Sequence, residues 1–269
     1  MGVFYETIPD SLKPWILEQQ MLFVGTAPLS PHGHINISPK GGSTFGIPSP
    51  TSFWYMDLTG SGVETHAHLH EPGNARIVIM FLAFTGPPRI VRLWGKGRAI
   101  ENGTSEYAAF IADNKIATKP GCRSIIMLDI DQVATSCGFS VPYYDFVAHR
   151  PILDDFFAKK QDKFEKGDEK ESMDRYWSWK SQLSIDGLPG MKRGYEFAQR
   201  NGVKPLKKMV GRAGEVAERN AGMYGEKERV GMVHLLVVLV LGMVIGAAAV
   251  CSFLSPEGLK VLQAKGRLV

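Results

Sequence analysis

Between Met21 and Thr135 apolar and polar residues alternate in short runs, the period of strands with one face buried. The runs predict six strands: Leu22 to Ala27, His34 to Ser38, Ser52 to Leu58, Ala75 to Phe84, Arg89 to Ile100 and Ser124 to Val133. Ser30-Pro31-His32-Gly33 joins the first two as a hairpin signal. The fourth, ARIVIMFLAF, is apolar on both faces and predicts a strand covered on both sides. Two helices fall in the gaps, Gly62 to Glu71, stopped by Pro72-Gly73, and Ser105 to Asp113, with Thr104 as its N-cap. Six mostly hairpin-linked strands with two helices predict an α+β chain, mainly β, built on an antiparallel barrel that closes its own edges; a sandwich is the alternative.

Beyond Pro151 the period becomes helical. Ile152 to Leu183 predicts helix packed on the barrel, and Lys204 to Arg229 a solvated, helix-prone stalk. Val230 to Leu254 then runs 25 residues with His234 as its one titratable side chain other than Cys251. At about 1.5 Å per residue it reaches roughly 37 Å, enough to cross a hydrocarbon core of about 30 Å with tilt. The pattern therefore predicts a single-pass C-terminal anchor with the barrel in the cytosol and the organelle open. It divides the chain into a barrel domain (1–150), a helical extension (151–200), a stalk (201–229), a transmembrane helix (230–254) and a short tail (255–269).

Composition changes this picture little. The 269 residues are 44% hydrophobic and 22% charged, and the net charge of +4 is spread along the chain, which speaks against a nucleic-acid partner. Three cysteines without CxxC spacing predict neither a disulfide framework nor a zinc site. The N-terminus lacks a basic segment followed by an apolar run, so no secretory signal is expected.

Candidate chemistry sits at strand ends. His34 to Ser38 runs into Pro39, Lys40 and two glycines, either a solvated turn or an anion site. Arg92, Trp94, Lys96 and Arg98 share one strand face, again either solvated or neutralised by an anion, and Gly95 and Gly97 on the other face permit close backbone approach. Thr59-Gly60-Ser61-Gly62 opens a helix and is either a cap or a cradle of N–H groups for a phosphate. His66, His68 and His70 suit a solvated helical face better than a metal site, since only His66 and His70 share a face. Thr135-Ser136-Cys137-Gly138 reads as a turn lining a pocket; Cys137 has no neighbouring base.

Four blocks in order, HINISPKG, FWYMDLTGSGVET, ARIVIMFLAFTGPPRIVRLWGKGRA and TSCGFSVPYYDF, resemble the pyridoxamine 5′-phosphate oxidase-related family of FMN-binding split barrels, in particular a eukaryotic branch of uncharacterised flavin-domain proteins. The resemblance covers about Phe4 to Arg150. It implies a six-stranded split barrel, a homodimer with one FMN in each of two interface clefts, and flavin-dependent oxidoreduction of a small-molecule substrate. It places Arg76 and Arg89 at the flavin phosphate and Ser38 with Lys40 along the cofactor cleft; Thr59, Ser61, Arg92 and Ser136 complete the expected cofactor-binding set, with no metal. Relatives also bind haem or deazaflavin F420, and a non-catalytic flavin- or haem-binding sensor is the alternative function. The oxidase that makes pyridoxal phosphate carries a lysine where this chain has Phe81, and a C-terminal Trp and Arg signature absent after Pro151, so its substrate is not implied.

Overall fold

In the computed structural model, which describes residues 2–253 with the side chains of 225–236 and 247–253 outside the description, the alternating runs form one antiparallel sheet. Its strands are β1 (Val3–Tyr5), β2 (Met21–Thr26), β3 (Asn36–Gly41), β4 (Phe45–Ser49), β5 (Ser52–Leu58), β6 (Arg76–Leu82), β7 (Ile90–Glu101) and β8 (Cys122–Ser136). Seven of them form a single path, β3-β2-β6-β7-β8-β5-β4, and the short β1 pairs with β8 beyond β5. The six-strand expectation therefore falls short. The missing strand of the main path is β4, FGIPS, which a glycine and a proline disguise as a loop.

The sheet curls into a half-barrel. Phe45 of β4 lies 5.7 Å, ring centre to ring centre, from Phe81 of β6, although β5, β8 and β7 separate those strands in the sheet. Short α1 (Lys13–Leu17) brings Ile16 into the same core, with Leu22, Val24, Ile79, Leu93 and Val133 from the concave face. Gly95 marks a register shift in the β7·β8 ladder, where a Cβ would stand only 1.9 Å from the carbonyl oxygen of Asp129. Because the obstacle is backbone, Gly95→Ala is expected to lose about 1–3 kcal/mol of stability, read as a lowered thermal midpoint.

Helices cover parts of the convex face and one end of the half-barrel. Helix α3 (Ser105–Asp113) starts on Thr104, whose hydroxyl accepts from the Tyr107 N–H, and places Tyr107 over Met56, Ile100 and Ile125. Helix α2 (Glu64–His70) is buried from Glu64 to Leu69, so its histidines do not form the solvated face the spacing suggested. After Pro151 the expected single helix is two, α4 (Ile152–Glu165) and α5 (Met173–Lys180), separated around Gly167 at a left-handed φ of +98°. Helix α6 (Lys192–Asn201) is capped from outside its own sequence: the Glu101 carboxylate at the end of β7 accepts from the N–H groups of Lys192 and Arg193 at 2.8 and 3.0 Å.

The segment expected to be a solvated stalk begins by packing. The Leu206 N–H donates to Trp179 O and Lys208 Nζ to Leu183 O. Residues Met1–Ala221 form one compact unit and Gly222–Val269 a second, which contains most of helix α7 (Gly211–Phe253). Among the described residues no helix is long and apolar enough to cross a membrane. The span read over 230–254 falls largely outside the described side chains; those of 237–246 are exposed.

Candidate functional site

Strand β3 turns its polar row inward. The register pairs Asn36 with Thr26, Ser38 with Val24 and Lys40 with Leu22, and the β2 residues all point into the core. Ile37 and Pro39 are consequently outside, with Ile37 69% exposed, the inverse of the burial that the alternation suggested.

This polar row meets β5 and α2 across the cleft. Lys40 Nζ donates to Asp57 Oδ1 at 2.6 Å, and Asn36 Nδ2 to Thr65 Oγ1 at 3.3 Å, so side chains bridge the elements here. Asp57 is fully buried and also accepts from Arg123 Nε at 2.7 Å. Arg123 donates further to the carbonyl of Gly62. His66 completes the cluster, with Nδ1 3.6 Å from Asp57 Oδ2 and Nε2 sharing a hydrogen bond with Ser124 Oγ at 2.9 Å. Burial by itself would raise the Asp57 pKa, but Arg123 and Lys40 outweigh it and hold the carboxyl well below the usual carboxylate range. Burial, followed by the Arg123 guanidinium, pushes His66 well below its ordinary value, so the imidazole is neutral. Two cations thus face one anion. The surplus positive charge lies at Lys40, the member whose side chain reaches solvent.

The other expected residues do not all gather there. Ser38 does, its hydroxyl donating to Asn36 Oδ1. Thr59 lies two residues from Asp57, but its N–H and hydroxyl both donate to the carbonyl of Gly121, and the hydroxyl accepts from Trp177 Nε1, leaving it no donor for a ligand. Ser61 is exposed beside it. Arg76 opens β6 and donates to Asn74 Oδ1 and the carbonyl of Pro28. Arg89 precedes β7, with its guanidinium 5.4 Å from the Trp15 ring centre. Since Arg76 stands opposite Lys96 while Arg89 bonds back to Ala83, the two lie at opposite ends of β6, about 23 Å apart at about 3.3 Å per residue. One protomer cannot bring both to one phosphate. Arg92 donates to Ser136 Oγ at 3.3 Å on the convex face, where Lys96 donates to the carbonyl of Asn74 and Arg98 pairs with Glu106. That face matches the solvated alternative for Lys96 and Arg98.

Sequence reasoning missed Asp57, Arg123, His66 and Ser124 as one cluster. The usable signal was a lone carboxylate in FWYMDL and a lone guanidinium in CRSIIML, because a charge at an inward strand position needs a partner. Among the described residues no group of three or more His, Cys, Asp or Glu side chains could hold a metal ion.

An antiparallel half-barrel with helices on its flanks and a cation held along one inner edge defines an α+β protein built on a single curled sheet. No family model matches the chain. A curated relative does: the pyridoxamine 5′-phosphate oxidase family protein ustO of Aspergillus flavus is 38% identical over 205 residues, covering 71% of this chain and 78% of that protein. The chain belongs to the pyridoxamine 5′-phosphate oxidase family. Similar solved structures include HupZ of Group A Streptococcus (19% identity, 47% of this chain and 91% of that one, TM-score 0.36). A putative pyridoxamine 5′-phosphate oxidase of Lactobacillus delbrueckii is also similar (14% identity, 48% and 94%, TM-score 0.36), as is the haem storage protein HutZ of Vibrio cholerae (12% identity, 49% and 98%, TM-score 0.35).

Proposed function

We propose that this chain is an FMN-dependent oxidoreductase that works as a homodimer and is tethered to a membrane by its apolar C-terminal segment. The observation that carries the reading is the surplus cation: Lys40, fixed by buried Asp57, presents its ammonium beside the Ser38 hydroxyl along the inner edge of β3. That row suits a phosphate or the polar edge of a flavin ring, and Ser38 and Lys40 would hold it there. Bound flavin supplies hydride and electron transfer between two substrates; the protein supplies position and electrostatics. The dimer reading is supported by the convex face of β3, β2, β6 and β7, where Ile37, Val78, Met80 and Trp94 remain exposed or half-exposed. Tethering is supported by the 25-residue apolar run at 230–254.

The test is the absorption spectrum of the full chain purified in detergent, followed by FMN fluorescence titration. A flavin spectrum, or quenching of added FMN, is expected. Lys40→Met is expected to weaken FMN binding by about ten- to a hundredfold, the worth of one charge-assisted hydrogen bond, while Arg76→Met, at the start of β6 and held by Asn74 and the Pro28 carbonyl, changes it less. A colourless protein that leaves FMN fluorescence unchanged overturns the reading, and a Soret band replaces flavin with haem.

One observation favours a non-catalytic alternative. Phe81, at the end of β6, is fully buried against Phe45 and Phe53, so that position offers the cleft no basic group. Flavin retained without reduction by NADH or NADPH would select this second reading.

A further inference from the structure

Beyond the last strand, residues 137–150 form neither helix nor strand and follow the rim of the sheet. The segment leaves β8 beside Ser136, whose hydroxyl accepts from Arg92 of the convex face. It passes Phe84, whose carbonyl accepts from the Tyr144 N–H at 3.1 Å and whose ring centre lies 5.6 Å from that of Tyr144. It then reaches the end of β3, where the His149 ring stands beside Gly41. Among the described residues, the Tyr144 bond is the one hydrogen bond that ties this strap to the rest of the protein.

Its apolar side chains face solvent. Phe139, Tyr143, Tyr144 and Phe146 are 82, 77, 62 and 52% exposed, and every residue from Pro142 to Arg150 is exposed. A run of this kind marks a surface that another molecule covers. The convex face of β3, β2, β6 and β7 borders the strap, and there Ile37, Val78, Met80 and Trp94 are also incompletely covered. Both surfaces stay open within one protomer, so each is available to the other in a pair.

Area and charge fit that pair. At about 150–250 Å² per aromatic side chain, the exposed fractions amount to about 400–700 Å² per strap. Two straps and an equal area beneath them reach about 1,600 Å² or more, the size of a stable interface. Asp145, between Tyr144 and Phe146, has no cation within ion-pair distance, and Arg92 has no carboxylate, so a two-fold axis can satisfy both twice over. Pro142 and Pro151 bound the strap and favour extended backbone before them, which lowers the ordering cost of docking.

We infer that residues 138–150 are a dimerisation strap that lies across the convex face of a second copy, an inference that rests on the homodimer reading and specifies its contact surface. The aromatic rings pack on the partner copy's β6 and β7, and Asp145 meets its row of cations.

The test uses the full chain in detergent. Light and heavy isotopic copies carrying p-benzoylphenylalanine in place of Tyr143 are mixed and irradiated, and light scattering follows the native chain through a dilution series. A dimer is expected, with light-to-heavy cross-links from position 143 into residues 76–98. Tyr143→Ser combined with Phe146→Ser is expected to raise the dimer dissociation constant at least tenfold with circular dichroism unchanged, since both side chains lie outside the core. A dimer without such cross-links, or one that withstands the double substitution, overturns the strap and leaves the homodimer standing. A monomer at every concentration overturns both, and cross-links to detergent alone assign the strap to a membrane surface instead.

Discussion

Asp57→Ala is expected to cost about 3–5 kcal/mol of folding stability, read as a lower urea midpoint, because it leaves Arg123 buried without a counter-ion. Lys40 loses the same partner but can turn to solvent, so most of the loss belongs to Arg123. The double variant Asp57→Ala, Arg123→Met is therefore expected to recover part of the stability; a double variant as unstable as the sum of the two single ones would remove the pairing argument. The cluster also sets a pH profile. The folded state holds the Asp57 carboxyl below its ordinary range, so the unfolded chain takes up that proton first; the stability involved is present above about pH 4 and fades as the pH falls below it. His66 acts in the same direction from a higher pH. The unfolded imidazole protonates near pH 6.5 while the folded one resists, so stability begins to decline as the pH drops through about 6.5. Urea midpoints measured from about pH 8 down to about pH 4 should fall in acid, and His66→Phe should flatten the upper part of that fall. A midpoint that does not change over this range contradicts a buried, neutral His66.

Trp177→Ala should be comparably severe, at about 3–5 kcal/mol. Its indole is 2% exposed, packs with Val63 and Met191, and donates to Thr59, while the Arg193 guanidinium lies 5.2 Å from a ring centre of the same side chain. It joins the extension to the turn that follows β5. The loss should appear in hydrogen exchange as faster exchange in 152–201 than in β7 and β8; equal acceleration throughout would mean that sheet and extension unfold as one.

What could be read in advance follows from how local each signal is. Ser52–Leu58 and Ser105–Asp113 form as their periodicity and the Thr104 cap require, because those cues lie within the segments. Strand β4 was lost because Gly46 and Pro48 mask a run whose partner, β5, supplies the stabilisation. Helix α2 departs from the pattern because histidine counts as polar there, whereas here Thr26, Ser124 and the Gly190 carbonyl each bond one nitrogen of His68, His66 and His70 inside the protein, with His66 Nδ1 and His68 Nε2 buried unpartnered. The cleft shows the same division. Lys40 stands out as a cation on a glycine-rich corner, but its partner Asp57 lies 17 positions away, itself paired with Arg123 a further 66 positions on, and the reach between them exists only once β3 and β5 face each other across the half-barrel.

The two ends of the sheet path have a consequence for assembly. Strand β3 carries Pro39 and strand β4 carries Pro48, each within the strand that leaves one side of its backbone unpaired. Neither residue has an N–H to offer, so an incoming strand would find its hydrogen-bond ladder interrupted at both rims. Open-ended edge-to-edge growth is thereby discouraged, and a second molecule is steered toward contact through side chains on the faces of the sheet.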